Sequence, residues 1–244
     1  MPRTVRVGVI GAGRIGRLHL ENLARRIPEA RAVAVSDLSI AAAQKCAADL
    51  GIAKVTENHQ ELLADGTIEA VVICSSTDTH AQTIIEAAAQ KKHIFCEKPI
   101  ALDLDPIDRA LEAVDASGVK LQIGFNRRFD PNNIKLVKII REGKIGDLDI
   151  LRITSRDPAP PPMEYVKVSG GIFLDMTIHD FDLARYLVGA EVEEVLTMAA
   201  VRGDPAIGKA GDQDTAVLSL RFANGVIGRR VLKRHPKKGS VALI

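Results

Sequence analysis

The chain contains no tryptophan, two tyrosines and six phenylalanines, so aromatic residues make up only 3% of its 244 positions. Single-stranded nucleic acid is held largely by stacking on aromatic rings, and a chain this poor in them offers no such platform. Cysteine is scarce as well. Cys46, Cys74 and Cys96 form no C-x-x-C pair, and an odd count fits neither a disulfide framework nor a structural zinc site. They read as small buried apolar residues in a reducing compartment. No uncharged apolar run approaches the length that crosses a bilayer, and the opening Met1-Pro2-Arg3-Thr4-Val5-Arg6 lacks an apolar signal-peptide core. A cytoplasmic protein without a membrane partner is the expectation. Acidic residues are missing after Asp214, while six of the eleven residues from Arg229 to Gly239 are Lys or Arg. The formal net charge of +2 therefore comes from this tail, and the remainder is mildly acidic. A basic tail can touch phosphate or nucleic acid. With no aromatics interleaved, it reads as an oddity of composition, and no nucleic-acid partner is expected.

What is present is the balance of an ordinary globular protein, 46% hydrophobic and 26% charged, enough to build a core without staples. The length suggests one to two domains. The first half alternates apolar runs (Val5–Ile10, Ala32–Ser36, Ala70–Cys74, His93–Cys96, Val119–Gly124) with segments of helical spacing (Arg14–Ile27, Ser39–Leu50, Thr79–Gln90, Pro106–Ala116). That rhythm predicts βαβ units and a doubly wound α/β Rossmann sheet over residues 1–124. After Phe125 the rhythm changes. A helix over Asn133–Glu142, a strand over Leu148–Ser155, the proline-rich loop Asp157–Pro162 and a helix over Ile172–Leu187 are followed by strands over Val192–Val201 and Thr215–Phe222. A turn at Ala223–Gly225 leads towards one more strand. This predicts a smaller α+β domain over 125–244 with a largely antiparallel open sheet, ending in an atypical basic tail over 229–244.

Gly11-Ala12-Gly13-Arg14-Ile15-Gly16 fits G-x-G-x-x-G. The pattern alone is weak, but here it directly follows an apolar run and opens a helical segment. Gly11 permits the tight turn, Gly13 lets the backbone approach a pyrophosphate, and Gly16 lets the helix pack closely on the strand. The helix N-terminus then offers free N–H groups to the phosphates. Asp37 ends the second apolar run about twenty residues on, where a carboxylate accepts hydrogen bonds from the adenosine ribose and repels a 2′-phosphate, so NAD is expected over NADP. Ser75, Ser76 and Thr77 follow the fourth run, at the carboxyl edge where open α/β sheets bind ligands. They either line the cofactor cleft, as Ser75 and Thr77 are taken to do, or cap the helix that follows.

Glu97-Lys98-Pro99 follows the run His93–Cys96 at the same edge. It places Glu97 among the cofactor contacts and Lys98 close to a nicotinamide. The second constellation is Asp175-Met176-Thr177-Ile178-His179-Asp180-Phe181-Asp182. On an α-helix Asp175 and His179 share a face, and a carboxylate beside an imidazole holds its tautomer and raises its basicity. Free imidazole titrates near ~6.5, which suits a general base at neutral pH. A metal site from Asp175, His179 and Asp182 is the rival, but no second histidine lies near and none is expected. A solvated structural helix face is the plainer alternative.

Gly11–Gly16, Glu97-Lys98-Pro99, Gly124-Phe125-Asn126-Arg127-Arg128-Phe129, and Gly170-Gly171 followed by Asp175-x-x-x-His179-Asp180 together resemble the glucose–fructose oxidoreductase/inositol dehydrogenase (Gfo/Idh/MocA) family. Ile153-Thr154-Ser155-Arg156-Asp157-Pro158, Glu164-Tyr165 and Lys167-Val168-Ser169-Gly170-Gly171 are similar to its inositol branch, and the resemblance runs from residue 4 to about 228. The resemblance implies NAD-dependent oxidation of a polyol carbinol, with myo-inositol going to 2-keto-myo-inositol. His179 would take the hydroxyl proton, Asp175 would be hydrogen-bonded to it, and Lys98 would stabilise the developing negative charge on the reacting oxygen. Arg127 and Asp157 would contact substrate hydroxyls. The family usually forms homotetramers and continues well beyond this chain, so a C-terminally truncated member is expected, its pattern lost after Gly228. Two other readings stand beside this one: a catalytically impaired NAD-binding remnant, and a related sugar dehydrogenase acting on glucose or another polyol.

Overall fold

The apolar run Val5–Ile10 becomes β1, and the chain turns at once into α1 (Arg14–Arg25), whose Leu20 and Leu23 fall on one face at helical spacing and are buried. Full burial of a leucine contributes about 1.5–3 kcal/mol. The computed structural model describes residues 3–157, 159 and 161–233, which fall into two compact units divided between Gly124 and Phe125.

The first unit continues with β2 (Ala30–Ser36), α2 (Ile40–Leu50), β3 (Lys54–Thr56), α3 (Gln60–Leu63), β4 (Ala70–Ile73), α4 (Thr77–Ala89), β5 (His93–Cys96), α5 (Leu104–Ser117) and β6 (Leu121–Ile123). Its six strands are all parallel, in the order β3-β2-β1-β4-β5-β6. Leu20 and Leu23 of α1 with Ala43, Cys46 and Ala47 of α2 pack on Val7, Val9 and Val35. Ile84, Ala87 and Ala88 of α4 with Ala110 and Val114 of α5 pack on Val71, Ile73 and Ile94 over the other face. The strand order reverses between β1 and β4, which opens a crevice at their carboxyl ends, the place where sheets of this kind bind ligands. The sequence pattern misses β3 and α3 because three and four residues are too few to show a period.

The second unit holds a 3₁₀ turn (Asn126–Phe129), α6 (Pro131–Arg141), β7 (Ile150–Arg156), α7 (Met163–Val166), a π-helical turn (Ile172–Thr177), α8 (Ile178–Val188), β8 (Val192–Ala200), α9 (Pro205–Lys209), β9 (Thr215–Phe222) and β10 (Ile227–Lys233). α6 starts earlier than its apolar pattern, because Asp130 caps it from the N-cap position and Pro131 fits its first turn. The sheet order is β7-β10-β9-β8, with β10 antiparallel to β9 and parallel to β7, and β8 antiparallel to β9. The sheet is thus mixed and mostly antiparallel. Leu220 and Phe222 of β9 and Leu151 and Ile153 of β7 meet Phe181 and Ala184 of α8.

The expected tail over 229–244 needs correction. Arg229 to Lys233 belong to β10, an interior strand with a neighbour on each side. Gly228, Arg230 and Leu232 turn inward in strict alternation, and Arg230, only 2% exposed, is accepted there because it is ion-paired with the buried Asp180. The strand expected after the Ala223–Gly225 turn is present, and a charged residue at a core position hid its continuation through residues 229–233 in the sequence. Residues 234–244 lie outside the described residues.

Cys46 and Cys96 are buried and Cys74 is half-buried. Burial pushes the Cys74 and Cys96 thiols well above their ordinary range, and the Glu97 charge adds to it. Because the thiolate is the nucleophile, iodoacetamide at about pH 8 is expected to leave both unmodified in the folded protein and to alkylate all three cysteines in denaturant. Intact-mass spectrometry reads the difference. Among the described residues no helix is long and apolar enough to cross a membrane.

Candidate active site and cofactor cradle

The glycine loop sits where β1 ends and α1 begins. Gly11 has φ +98°, and a Cβ there would come 2.5 Å from the Cys74 carbonyl oxygen; a Cβ on Gly16 would overlap the carbonyl oxygen of Gly11. Only glycine permits that conformation and that approach. Gly13 differs, since a Cβ on it would meet nothing within 4 Å. It is the N-cap residue of α1, with no side-chain cap, and with Arg14 it is exposed, Ile15 being half-buried. The first-turn N–H groups of α1 are therefore left to an external acceptor in front of an open backbone. That combination fits the pyrophosphate of a dinucleotide.

Asp37 lies just past β2 and faces this loop. Its Oδ2 accepts the Ala12 N–H at 2.6 Å and its Oδ1 the Ser39 N–H at 2.8 Å. Each carboxylate oxygen has a second lone pair, so Asp37 can hold the glycine loop and still accept a ribose hydroxyl. The tie to Ala12 is something the sequence does not reveal, because it links positions with no shared periodicity. Replacing Asp37 by Ala is expected to shift relative affinity towards NADP by about 10-fold or more, since the carboxylate that excludes a 2′-phosphate is gone. Fluorescence titration with NADH and NADPH checks it, and an unchanged ratio counts against Asp37.

The carboxyl ends of β4 and β5 supply the next residues. Ser75 Oγ lies 2.6 Å from Thr79 Oγ1, and Thr79 donates to the Ser76 carbonyl at 2.8 Å. Ser76 is the N-cap residue of α4 without a side-chain cap, and Thr77 is the first helical residue. Ser76 thus does not cap α4 with its side chain, and the Ser75 hydroxyl is shared with Thr79. Glu97 Oε1 accepts from His19 Nε2 at 2.8 Å. Burial works against the charge of Glu97, yet the His19 hydrogen bond and charge, with the amide and charge of Lys98, hold its carboxyl below the usual range. His80, 2% exposed, sets its Nδ1 2.8 Å from the Pro99 carbonyl oxygen and its Nε2 3.0 Å from that of Ser75. Neither His19 nor His80 was singled out from the sequence; the available signal was a histidine on the packed face of each helix.

In the second unit, Asp175 lies in the π-helical turn and His179 in the first turn of α8. The predicted single α-helix therefore starts one turn wider, and the wider turn changes the angle between positions 175 and 179 from that of an α-helix. Asp175 Oδ1 accepts the Tyr165 hydroxyl at 2.7 Å. Thr177 Oγ1 donates to the Ile172 carbonyl at 2.7 Å, and Arg230 Nη1 donates to the Thr177 carbonyl at 2.8 Å. Asp180, 1% exposed, is ion-paired with both Arg127 and Arg230 and accepts from Ser155 Oγ at 2.9 Å. Burial lowers the Arg127 guanidinium from its ordinary value while the Asp157 charge opposes it, and burial with the Arg127 charge brings Arg230 down to about 9. Arg127 and Asp157, expected at the substrate, thus share one electrostatic cluster with Asp180. Asp182 is held by Arg128, Nη2 to Oδ1 at 2.6 Å and Nε at 2.8 and 2.9 Å to the two oxygens.

A six-stranded parallel sheet with an open glycine loop at its switch point and a carboxylate over that loop defines a dinucleotide-binding oxidoreductase unit. The comparisons agree. Residues 5–125 match the model for the oxidoreductase family, NAD-binding Rossmann fold, and residues 134–239 match the GFO/IDH/MocA C-terminal domain. The chain belongs to the Gfo/Idh/MocA family. It is 52% identical over 224 residues to the myo-inositol 2-dehydrogenase of Thermotoga maritima, covering 92% of this chain and 67% of that one. It is 49% identical over 222 residues to the inositol 2-dehydrogenase of Rhizobium meliloti, covering 91% and 66%. The crystal structure of scyllo-inositol dehydrogenase from Lactobacillus casei with bound NAD(H) and scyllo-inositol superimposes with a TM-score of 0.89 at 32% identity, covering 97% of this chain and 72% of that one. The chain therefore spans about two thirds of the length of the curated relatives it matches.

Proposed function

We propose that the chain oxidises myo-inositol to 2-keto-myo-inositol with NAD as acceptor. The observation that carries this reading is identity of about one half, across both units, to inositol dehydrogenases. NAD, when bound, supplies the hydride acceptor; orientation and proton handling fall to the protein. The first unit is the cofactor domain. The glycine loop and the N-terminus of α1 hold the pyrophosphate, Asp37 holds the ribose, and Ser75, Thr77 and Glu97 lie along the same carboxyl edge. The second unit is the substrate and oligomerisation domain. His179 accepts the hydroxyl proton on its imidazole as hydride leaves the carbon. Asp175 favours the protonated ring by its charge, and Lys98 stabilises the negative charge that develops on the substrate oxygen. Arg127 and Asp157 present charge to the remaining hydroxyls. Such a protein would serve inositol catabolism in the cytoplasm.

The test is absorbance at the NADH band after mixing the purified chain, NAD and myo-inositol, with scyllo-inositol, glucose and no-polyol controls. NADH appearing fastest with myo-inositol supports the reading. Faster turnover of glucose or scyllo-inositol reassigns the substrate. No NADH, from protein that still enhances NADH fluorescence, points to the impaired NAD-binding form.

A further inference from the structure

Lys98 follows a four-residue strand, in a turn at the edge of the sheet. A catalytic lysine is long and flexible, so its usefulness depends on how firmly its backbone is fixed; misplacement by about 1 Å costs roughly 10²-fold in rate. In this structure the residue on each side of Lys98 is tied to a histidine. On one side, Glu97 meets His19 Nε2 at 2.8 Å, and the His19 ring lies against Phe95 of β5, centroids 5.1 Å apart and planes tilted by 59°. The carboxylate of Glu97 also takes the backbone N–H of Lys98 itself. On the other side, the Pro99 carbonyl meets His80 Nδ1 at 2.8 Å, and the opposite nitrogen of that ring reaches the Ser75 carbonyl at 3.0 Å.

The two histidines come from helices on opposite faces of the sheet. α1 packs with Val7 and Val9, and α4 with Val71 and Ile73. A turn held from one face can still rock about its strand; a turn held from both cannot. His80 does a second thing, because Ser75 and Pro99 belong to the loops after β4 and β5. Lying between their carbonyls, with an N–H that a neutral ring gives to one of them, His80 sets the lysine turn in register with the loop proposed to line the cofactor. The His80 ring is costly where it is unless bonded, since a buried imidazole has lost its water.

We propose that His19 and His80 are positioning residues for Lys98, clamping its turn from the two faces of the sheet. The proposal rests on the dehydrogenase reading for its effect on rate, but the clamp itself is a property of the first unit. Variants His19→Leu and His80→Leu remove the ties, and His19→Gln and His80→Gln keep a side chain able to hydrogen-bond.

Each leucine variant is expected to lower kcat for myo-inositol about 10–100-fold with little change in KM, and each glutamine variant to recover part of the loss. The independent readout is NMR of reductively ¹³C-methylated protein, with the Lys98 dimethylamine signal assigned by its absence from Lys98→Arg. That signal should shift or broaden in the leucine variants and return towards the parent in the glutamine variants. If both leucine variants fold and keep the parent Lys98 signal and kcat, the clamp is wrong. Should His80→Leu fail to fold, His19→Leu, whose ring is partly exposed, and His80→Gln decide between the same outcomes. A parent protein that turns over no polyol overturns the dehydrogenase reading alone, and the Lys98 signal still judges the clamp.

Discussion

Alanine at position 179 is expected to lower kcat for the proposed myo-inositol oxidation by roughly 10²–10⁴-fold, the range a positioned general base contributes. The loss is expected in kcat and not in NADH binding, because His179 belongs to the first turn of α8 in the second unit, whereas the glycine loop and Asp37 proposed to hold the dinucleotide belong to the first. Stopped-flow turnover and NADH fluorescence titration separate the two effects. Lys98→Ala is expected to show the same pattern with a loss of similar order, by removing electrostatic stabilisation of the developing alkoxide. Asp175→Asn belongs to the same series. It keeps a side chain that can bond Tyr165 yet removes the charge that favours the protonated imidazole, so activity falls while the fold stays. Loss of NADH binding in both His179→Ala and Lys98→Ala would sink the assignment of roles.

The second large effect is expected from two glycines three residues apart. Gly16→Ala drives a methyl group into the Gly11 carbonyl, and backbone at both positions must move. Overpacking of this kind costs typically 1–3 kcal/mol, occasionally more. NADH affinity should fall at least about 100-fold and the melting temperature should drop with it, because the turn and the start of α1 are displaced together. Gly13→Ala is the contrasting case. Its methyl group meets no protein atom within 4 Å, so thermal stability should match the parent, while NADH affinity drops about 10–100-fold because the added carbon stands where a pyrophosphate must approach. Calorimetry with and without NADH distinguishes them. Equal NADH affinity in Gly13→Ala and the parent would mean that the open space before this loop is not where the cofactor lies.

The parallel sheet was legible because most of its strands are short apolar runs joined by helices with a clear buried face, and the glycine spacing lay in its proper context. β3 and α3 were not, being shorter than any period. The strand expected after the Ala223–Gly225 turn is β10, but its extent beyond Gly228 was hidden for an electrostatic reason. Read as sequence, Arg229-Arg230 opens a basic tail; in the fold Arg230 fills an inward position opposite Asp180, and only the three-dimensional pairing makes a buried guanidinium acceptable. At the proposed site, single residues with a chemical signature could be named from the sequence, among them Asp37, Lys98 and His179. Their supports were not. The bond from Ala12 to Asp37, the tie of His19 to Glu97 and the bridge made by His80 join residues far apart in sequence. The π-helical turn before His179 was likewise invisible, because apolar spacing over Ile172–Leu187 is compatible with an unbroken α-helix.

The order of strands in the second sheet has a consequence for biosynthesis. β7 is made early in this unit, yet its only partner among the described strands is β10, the last of them. A ribosome adding about 5–20 residues per second exposes β7 for several seconds with its hydrogen-bonding edge unmatched. The first unit suffers no such delay at its centre, where β1 and β2 are separated by a single helix and can pair as soon as both emerge. Nascent chains of this protein should therefore acquire NADH-binding competence while the second sheet still lacks β10, and that interval is when a chaperone, or another copy of β7, would find an edge to bind.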